Sequence, residues 1–96
     1  MIEIVQLQQL IAVSEHGTIS AAADSLHLSQ PALTRSLQRL EKELGVALFD
    51  RKRNRAVLNR VGEMAVARAK GILDSVDELA VELRAYEARL STIVIG

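Results

Sequence analysis

The chain contains no cysteine and no tryptophan, a single proline, and only two aromatic side chains, Phe49 and Tyr86. Each scarcity removes a class of function. Without thiols there is neither a disulfide framework nor a thiolate metal site, which suits a reducing cytoplasm. The only histidines, His16 and His27, lie apart and beside no cluster of carboxylates, so no metal set is assembled. Two rings cannot build the stacking platforms of single-strand or RNA binding. No apolar run reaches membrane-spanning length, and Met1-Ile2-Glu3-Ile4 holds no basic leader, so no membrane partner is expected. Five scattered glycines form no phosphate-cradling loop, and no serine sits in a nucleophile motif; no enzyme is indicated.

Net charge is lacking as well, formally zero over 96 residues, yet the charges are unevenly placed. Residues 1–28 carry three acidic groups and no Lys or Arg. Residues 29–60 carry eight basic against three acidic, a local +5, and residues 61–96 carry four against six. Positive charge confined to one segment is what local contact with phosphates requires. Nearly half of the residues are apolar, enough to fold one small domain, alone or with an extended appendage.

Ile4, Leu7, Leu10, Ile11 and Ser14 keep a helical period, widened by Val5 and Val13, and His16-Gly17 ends that first helix. Both histidines fall near helix ends, where a cation meets the negative end of the dipole, a structural role. Thr18 caps a short second helix whose Ala21, Ala22 and Ala23 permit close packing. Ser29 caps a third helix with Pro31 in its first turn, where a missing N–H costs little. Leu33, Leu37, Leu40 and Leu44 form its buried stripe, and Gly45 stops it. Residues 46–58 place two apolar runs around Arg51-Lys52-Arg53-Asn54-Arg55, which predicts a small basic hairpin.

The third helix is the most informative element. Opposite its leucines it presents Gln30, Thr34, Arg35 and Gln38, residue types that hydrogen-bond base edges in the major groove. An apolar back and a base-reading front, followed by a basic wing, describe a winged helix-turn-helix. Gln30 is suited to adenine and Arg35 to guanine O6 and N7; Pro31 and Thr34 are expected against a thymine methyl or a phosphate, with Gln38 one turn further along. Thr18, Ser20 and Ser29, at helix starts, are candidates for phosphate contact, although simple capping explains them equally well. Lys52, Arg53 and Arg55 are expected on phosphates or in the minor groove. Arg51 follows the packed Leu48-Phe49 pair, and its expected partner is Glu41, in a structural ion pair.

Asn59 is the expected cap of a fourth helix running to about Leu90. Some 31 residues at roughly 1.5 Å rise gives roughly 46 Å, more than so small a domain can cover. From Ala65 the apolar positions Ala69, Ile72, Val76, Leu79, Leu83, Tyr86 and Leu90 alternate by four and three, a seam that needs a partner helix. The first turn, with Val61, Met64 and Ala65, is expected to pack on the chain's own domain. Ile72, Val76, Leu79, Leu83, Tyr86 and Leu90 are assigned to a homodimer. Residues 91–96 turn β-branched, reading either as the start of a strand or as a frayed tail.

Ala22-Ala23-x-x-Leu26-x-x-Ser29-Gln30-Pro31-Ala32-Leu33-Thr34, with Leu40-Glu41, Leu44-Gly45, Leu48-Phe49-x-Arg51 and Leu58-Asn59-x-x-Gly62, resembles the LysR-type transcriptional regulators over residues 4–90. Leu10, Thr34 and Asn59 stand where that family usually has Phe, often Ser and usually Thr. The resemblance implies a mainly α fold: a winged helix-turn-helix over 1–58, a linker helix over 59–90 pairing antiparallel in a dimer, and at 91–96 the hinge and start of an effector-binding domain. It implies interrupted palindromes in bacterial promoters as the double-stranded DNA partner, often bound by a dimer of dimers. No cofactor is expected in this segment, and a small-molecule effector is expected in the following domain. The residues alone leave two rivals open, a coiled-coil interaction module without DNA binding and a sequence-tolerant architectural DNA protein.

Overall fold

The computed structural model describes residues 1–53 and 55–95, residues 92–95 by their backbone alone. The order is α1 (Ile4–His16), α2 (Ile19–Ser25), α3 (Gln30–Leu44), β1 (Phe49–Lys52), β2 (Arg55–Leu58) and α4 (Arg60–Ile95). The boundaries follow from local chemistry. Gly17 leaves α1 at φ 85°, and its N–H donates to the Val13 carbonyl at 2.9 Å. The Thr18 hydroxyl accepts the Ala21 N–H at 3.0 Å, and the Ser29 hydroxyl accepts the Ala32 N–H at 3.2 Å. Gly45 ends α3 at φ 76°. Asn59 Oδ1 accepts the Gly62 N–H at 2.8 Å and so caps α4.

The turn between α2 and α3 is a Schellman motif. The Leu28 N–H donates to the Ala23 carbonyl at 2.9 Å and the His27 N–H to that of Asp24 at 3.2 Å. His27 occupies the left-handed position at φ 58°, where glycine is the usual residue. The tight turn seats α2 against α3 through Ala22 and Ala23, both buried.

Leu10, Leu33, Leu37, Leu40 and Leu48 fill the core, joined by Val13, Ile19 and Val66. Losing any of these leucines to alanine would cost about 2–5 kcal/mol. The buried face of α1 is rotated from the expected one. Ile4, Val5 and Ser14 are exposed, whereas Gln6 and Gln9 are buried. Burial is tolerated because both amides are satisfied: Gln6 Oε1 accepts the Glu3 N–H at 2.8 Å, and Gln9 Oε1 accepts the hydroxyl proton of buried Ser36 on α3. Leu44, expected in the stripe of α3, overhangs the core and is exposed.

β1 and β2 form an antiparallel pair with Phe49 opposite Leu58, Asp50 opposite Val57, Arg51 opposite Ala56 and Lys52 opposite Arg55. Only two residues bridge the strands; of these Arg53 has φ 51°, and Asn54 lies outside the described residues. A left-handed residue in a two-residue loop follows the primed-turn geometry that matches strand twist.

α4 leaves the domain along its own axis, giving the molecule extents of 66 × 26 × 21 Å. Its inner face is Gly62, Val66 and Ala69, all buried, with Ala65 packed beside them. Val61 and Met64, expected inside, are exposed; they lie on the flank that continues towards Ile72, not on the face meeting the core. The backbone of residues 91–95 is helical, not the start of a strand. Extending an existing helix adds one hydrogen bond per residue, whereas a strand here would meet no partner among the described residues.

Candidate nucleic-acid interface

With Leu33, Leu37 and Leu40 held inside, helical geometry fixes what α3 turns outward. Gln30, Thr34 and Gln38 recur every fourth residue along one row, and Pro31 and Arg35 form the row beside it. Gln30, Pro31, Arg35 and Gln38 are exposed and Thr34 is half-buried. All five residues chosen for base contact therefore share one outward surface.

Two neighbouring clefts join this surface to the hairpin and to the start of α2. One is lined by Thr18, Ser20, Gln30, Thr34, Arg51 and Arg55. The other is lined by Thr34, Gln38, Glu41, Phe49, Arg51 and Ala56, with Ile19 and Leu37. The structure thus brings Thr18, Ser20 and Arg55 beside the outward rows of α3. Ser29 lies exposed just before Gln30, and Lys52 and Arg53 lie exposed towards the tip of the hairpin. The Thr18 and Ser29 oxygens accept helix N–H groups, which leaves each hydroxyl proton able to bond outward.

The expected Glu41–Arg51 ion pair is not formed. Glu41 Oε2 instead accepts the backbone N–H groups of Leu48, at 2.6 Å, and Phe49, at 3.3 Å. These donors lie at the start of the β ladder, where the carboxylate satisfies them and ties the root of the hairpin to α3. Among the described residues no ion pair involves Arg51, which is exposed. The sequence reading therefore missed Glu41's backbone partners and the placement of Arg51. A signal was available: with a period of two, Arg51 shares the inner face of β1 with Phe49, towards α3.

The dimerisation candidates behave differently from the core. Ile72, Val76, Leu79, Leu83, Tyr86 and Leu90 all lie exposed along one side of α4, between 39% and 61% accessible. Apolar stripes of this length left bare by a single chain commonly mark association surfaces. Among the described residues no group of His, Cys, Asp or Glu could hold a metal ion, and no helix is long and apolar enough to cross a membrane.

Residues 4–63 match the family described as bacterial regulatory helix-turn-helix protein, lysR family. That match spans α1 through the first turn of α4 and contains every base-reading candidate.

The chain belongs to the LysR family.

The HTH-type transcriptional regulator BsdA of Bacillus subtilis is 36% identical over 98% of this LysR-family chain, which spans 33% of that relative. The regulator ClcR of Pseudomonas putida is 42% identical over 83% of it, the match covering 27% of ClcR. The chain thus spans about a third of the length of the curated relatives it matches. Among solved structures, the CbnR_DBD–DNA complex superposes with a TM-score of 0.81 at 39% identity, over 88% of this chain and 97% of that one. Full-length CbnR, a LysR family transcriptional regulator, gives 0.79 at 39% identity, over 88% of this chain and 29% of that one.

Proposed function

We propose that this chain is the DNA-binding and dimerising part of a bacterial transcriptional regulator, and that it chooses its promoter by base contacts from α3. The observation that carries the reading is the outward surface of Gln30, Thr34, Arg35 and Gln38, set beside a basic hairpin and backed by buried leucines. The likeness to the CbnR_DBD–DNA complex supports it. In this reading α3 enters the major groove, with Arg35 on guanine and Gln30 on adenine, and Pro31, Thr34 and Gln38 completing the contact. Thr18, Ser20 and Ser29 donate to phosphates, and Lys52, Arg53 and Arg55 reach the backbone or the minor groove.

Two copies associate through Ile72, Val76, Leu79, Leu83, Tyr86 and Leu90. Charge along α4 supports an antiparallel arrangement. Arg60, Arg68 and Lys70 against Glu63 make its first part basic, while Asp74, Asp77, Glu78, Glu82 and Glu87 against Arg84 and Arg89 make the following part acidic. Antiparallel helices set these opposite stretches together; parallel ones would align like with like. For the whole protein we propose the domain order 1–58, 59–90 and, from residue 91, a hinge to an effector-binding domain that takes a small molecule. Assembly into tetramers, a cytoplasmic location and the absence of enzymatic chemistry belong to the same reading.

Selection from a random duplex pool tests it. The expected result is an enriched interrupted palindrome whose half-sites are separated by whole helical turns. Recovery of unrelated sequences would favour an architectural role, and no retention of DNA would leave only the association module.

A further inference from the structure

We infer that Arg51 is a ligand for a DNA backbone phosphate, seated where the inner face of the hairpin meets α3; this rests on the DNA-binding reading above. Register places Arg51 opposite Ala56, and both line the clefts that also hold Thr34. The one carboxylate lining these two clefts, Glu41, accepts the Leu48 and Phe49 N–H groups instead. The cleft it shares with Thr18, Ser20, Gln30 and Arg55 contains two guanidinium groups and no carboxylate. Three hydroxyls, those of Thr18, Ser20 and Thr34, and the Gln30 amide complete a set rich in donors. A guanidinium fork in no ion pair among the described residues, beside donors on three elements, matches the oxygens of a phosphodiester. The strand that α3 reads would cross this cleft on its way to the hairpin, so Arg51 would fix how deeply α3 sits without reading sequence itself.

The test uses the full chain on its selected duplex and on a random duplex, over a range of salt. Arg51→Ala should weaken both by a similar factor, roughly tenfold at low salt, and lower the log–log salt slope by about 1. Arg51→Lys should restore most of the slope. A walk of single methylphosphonates along the duplex gives a second readout. One position that weakens binding of the unaltered chain should have no effect on Arg51→Ala, yet still weaken Arg35→Ala. An unchanged slope with every methylphosphonate effect retained would overturn the proposal. So would a loss confined to the selected duplex, which would make Arg51 a base reader. If the unaltered chain shifted no duplex at all, the DNA-binding reading would fall, and this inference with it.

Discussion

Substituting Gly62 with alanine tests how rigidly α4 is set on the winged domain. A Cβ built on Gly62 would lie 2.3 Å from the Leu48 carbonyl oxygen, 2.6 Å from Leu58 Cδ1 and 2.9 Å from Leu58 Cγ. Ordinary contacts need roughly 3.3 Å or more, so the Leu48 carbonyl or the helix must move by about 1 Å. The carbonyl is not free to do so. It accepts the Asn59 N–H at 2.9 Å, and the Leu48 N–H is held by Glu41 at 2.6 Å. Overpacking costs about 1–3 kcal/mol and loss of one hydrogen bond about 1. Alanine returns about 1 kcal/mol of helix propensity. Gly62→Ala should therefore destabilise by about 1–3 kcal/mol, lowering the melting midpoint by at least about 4 °C in a domain of this size. Gly71 provides the control: it lies in the same helix, and a Cβ there would meet nothing within 4 Å. Gly71→Ala should stabilise by about 1 kcal/mol. Urea melts at matched protein concentration read both, since association shifts apparent stability. Equal gains from the two substitutions would refute the close approach of α4 to Leu48.

Other expectations follow from other residues. His27→Gly should raise stability by about 1 kcal/mol, because His27 holds φ 58° in the interhelical turn; a lower thermal midpoint would contradict that account. Arg53→Gly relieves a similar strain at φ 51° while removing a charge, so salt titrations should show a slope reduced by about 1 with no loss of fold. An unchanged slope would remove Arg53 from the phosphate contacts. Leu79→Asp with Leu83→Asp should yield monomers by sedimentation, since both lie on the bare stripe; persistent dimers would place the interface elsewhere. Arg35→Ala should cost about 1–3 kcal/mol on the selected duplex and relax preference at one base pair, whereas equal loss on random DNA would deny it a base contact.

The ends of the elements were legible because single residues mark them. Gly17, Thr18, Ser29, Gly45 and Asn59 each end or cap a helix through a bond or conformation their chemistry favours. The outward rows of α3 were equally legible, since leucine spacing fixes one face and leaves the other. What periodicity hid were polar groups satisfied across elements. Gln9 is buried because Ser36, 27 residues away, donates to it. Glu41 turns to backbone donors rather than to Arg51. Neither partner is visible in a local pattern. The β-branched run after Leu90 misled for the opposite reason: its local strand preference is outweighed by a long helix already formed.

The central claim is that the exposed rows of α3 read bases. The most direct measurement is the affinity of the chain for its selected duplex against a scrambled duplex of equal length, at one physiological salt concentration. The account predicts a preference of roughly 10³-fold or more, most of it lost when Gln30 and Arg35 are both alanine. A ratio near one, or a preference that survives their removal, would contradict it.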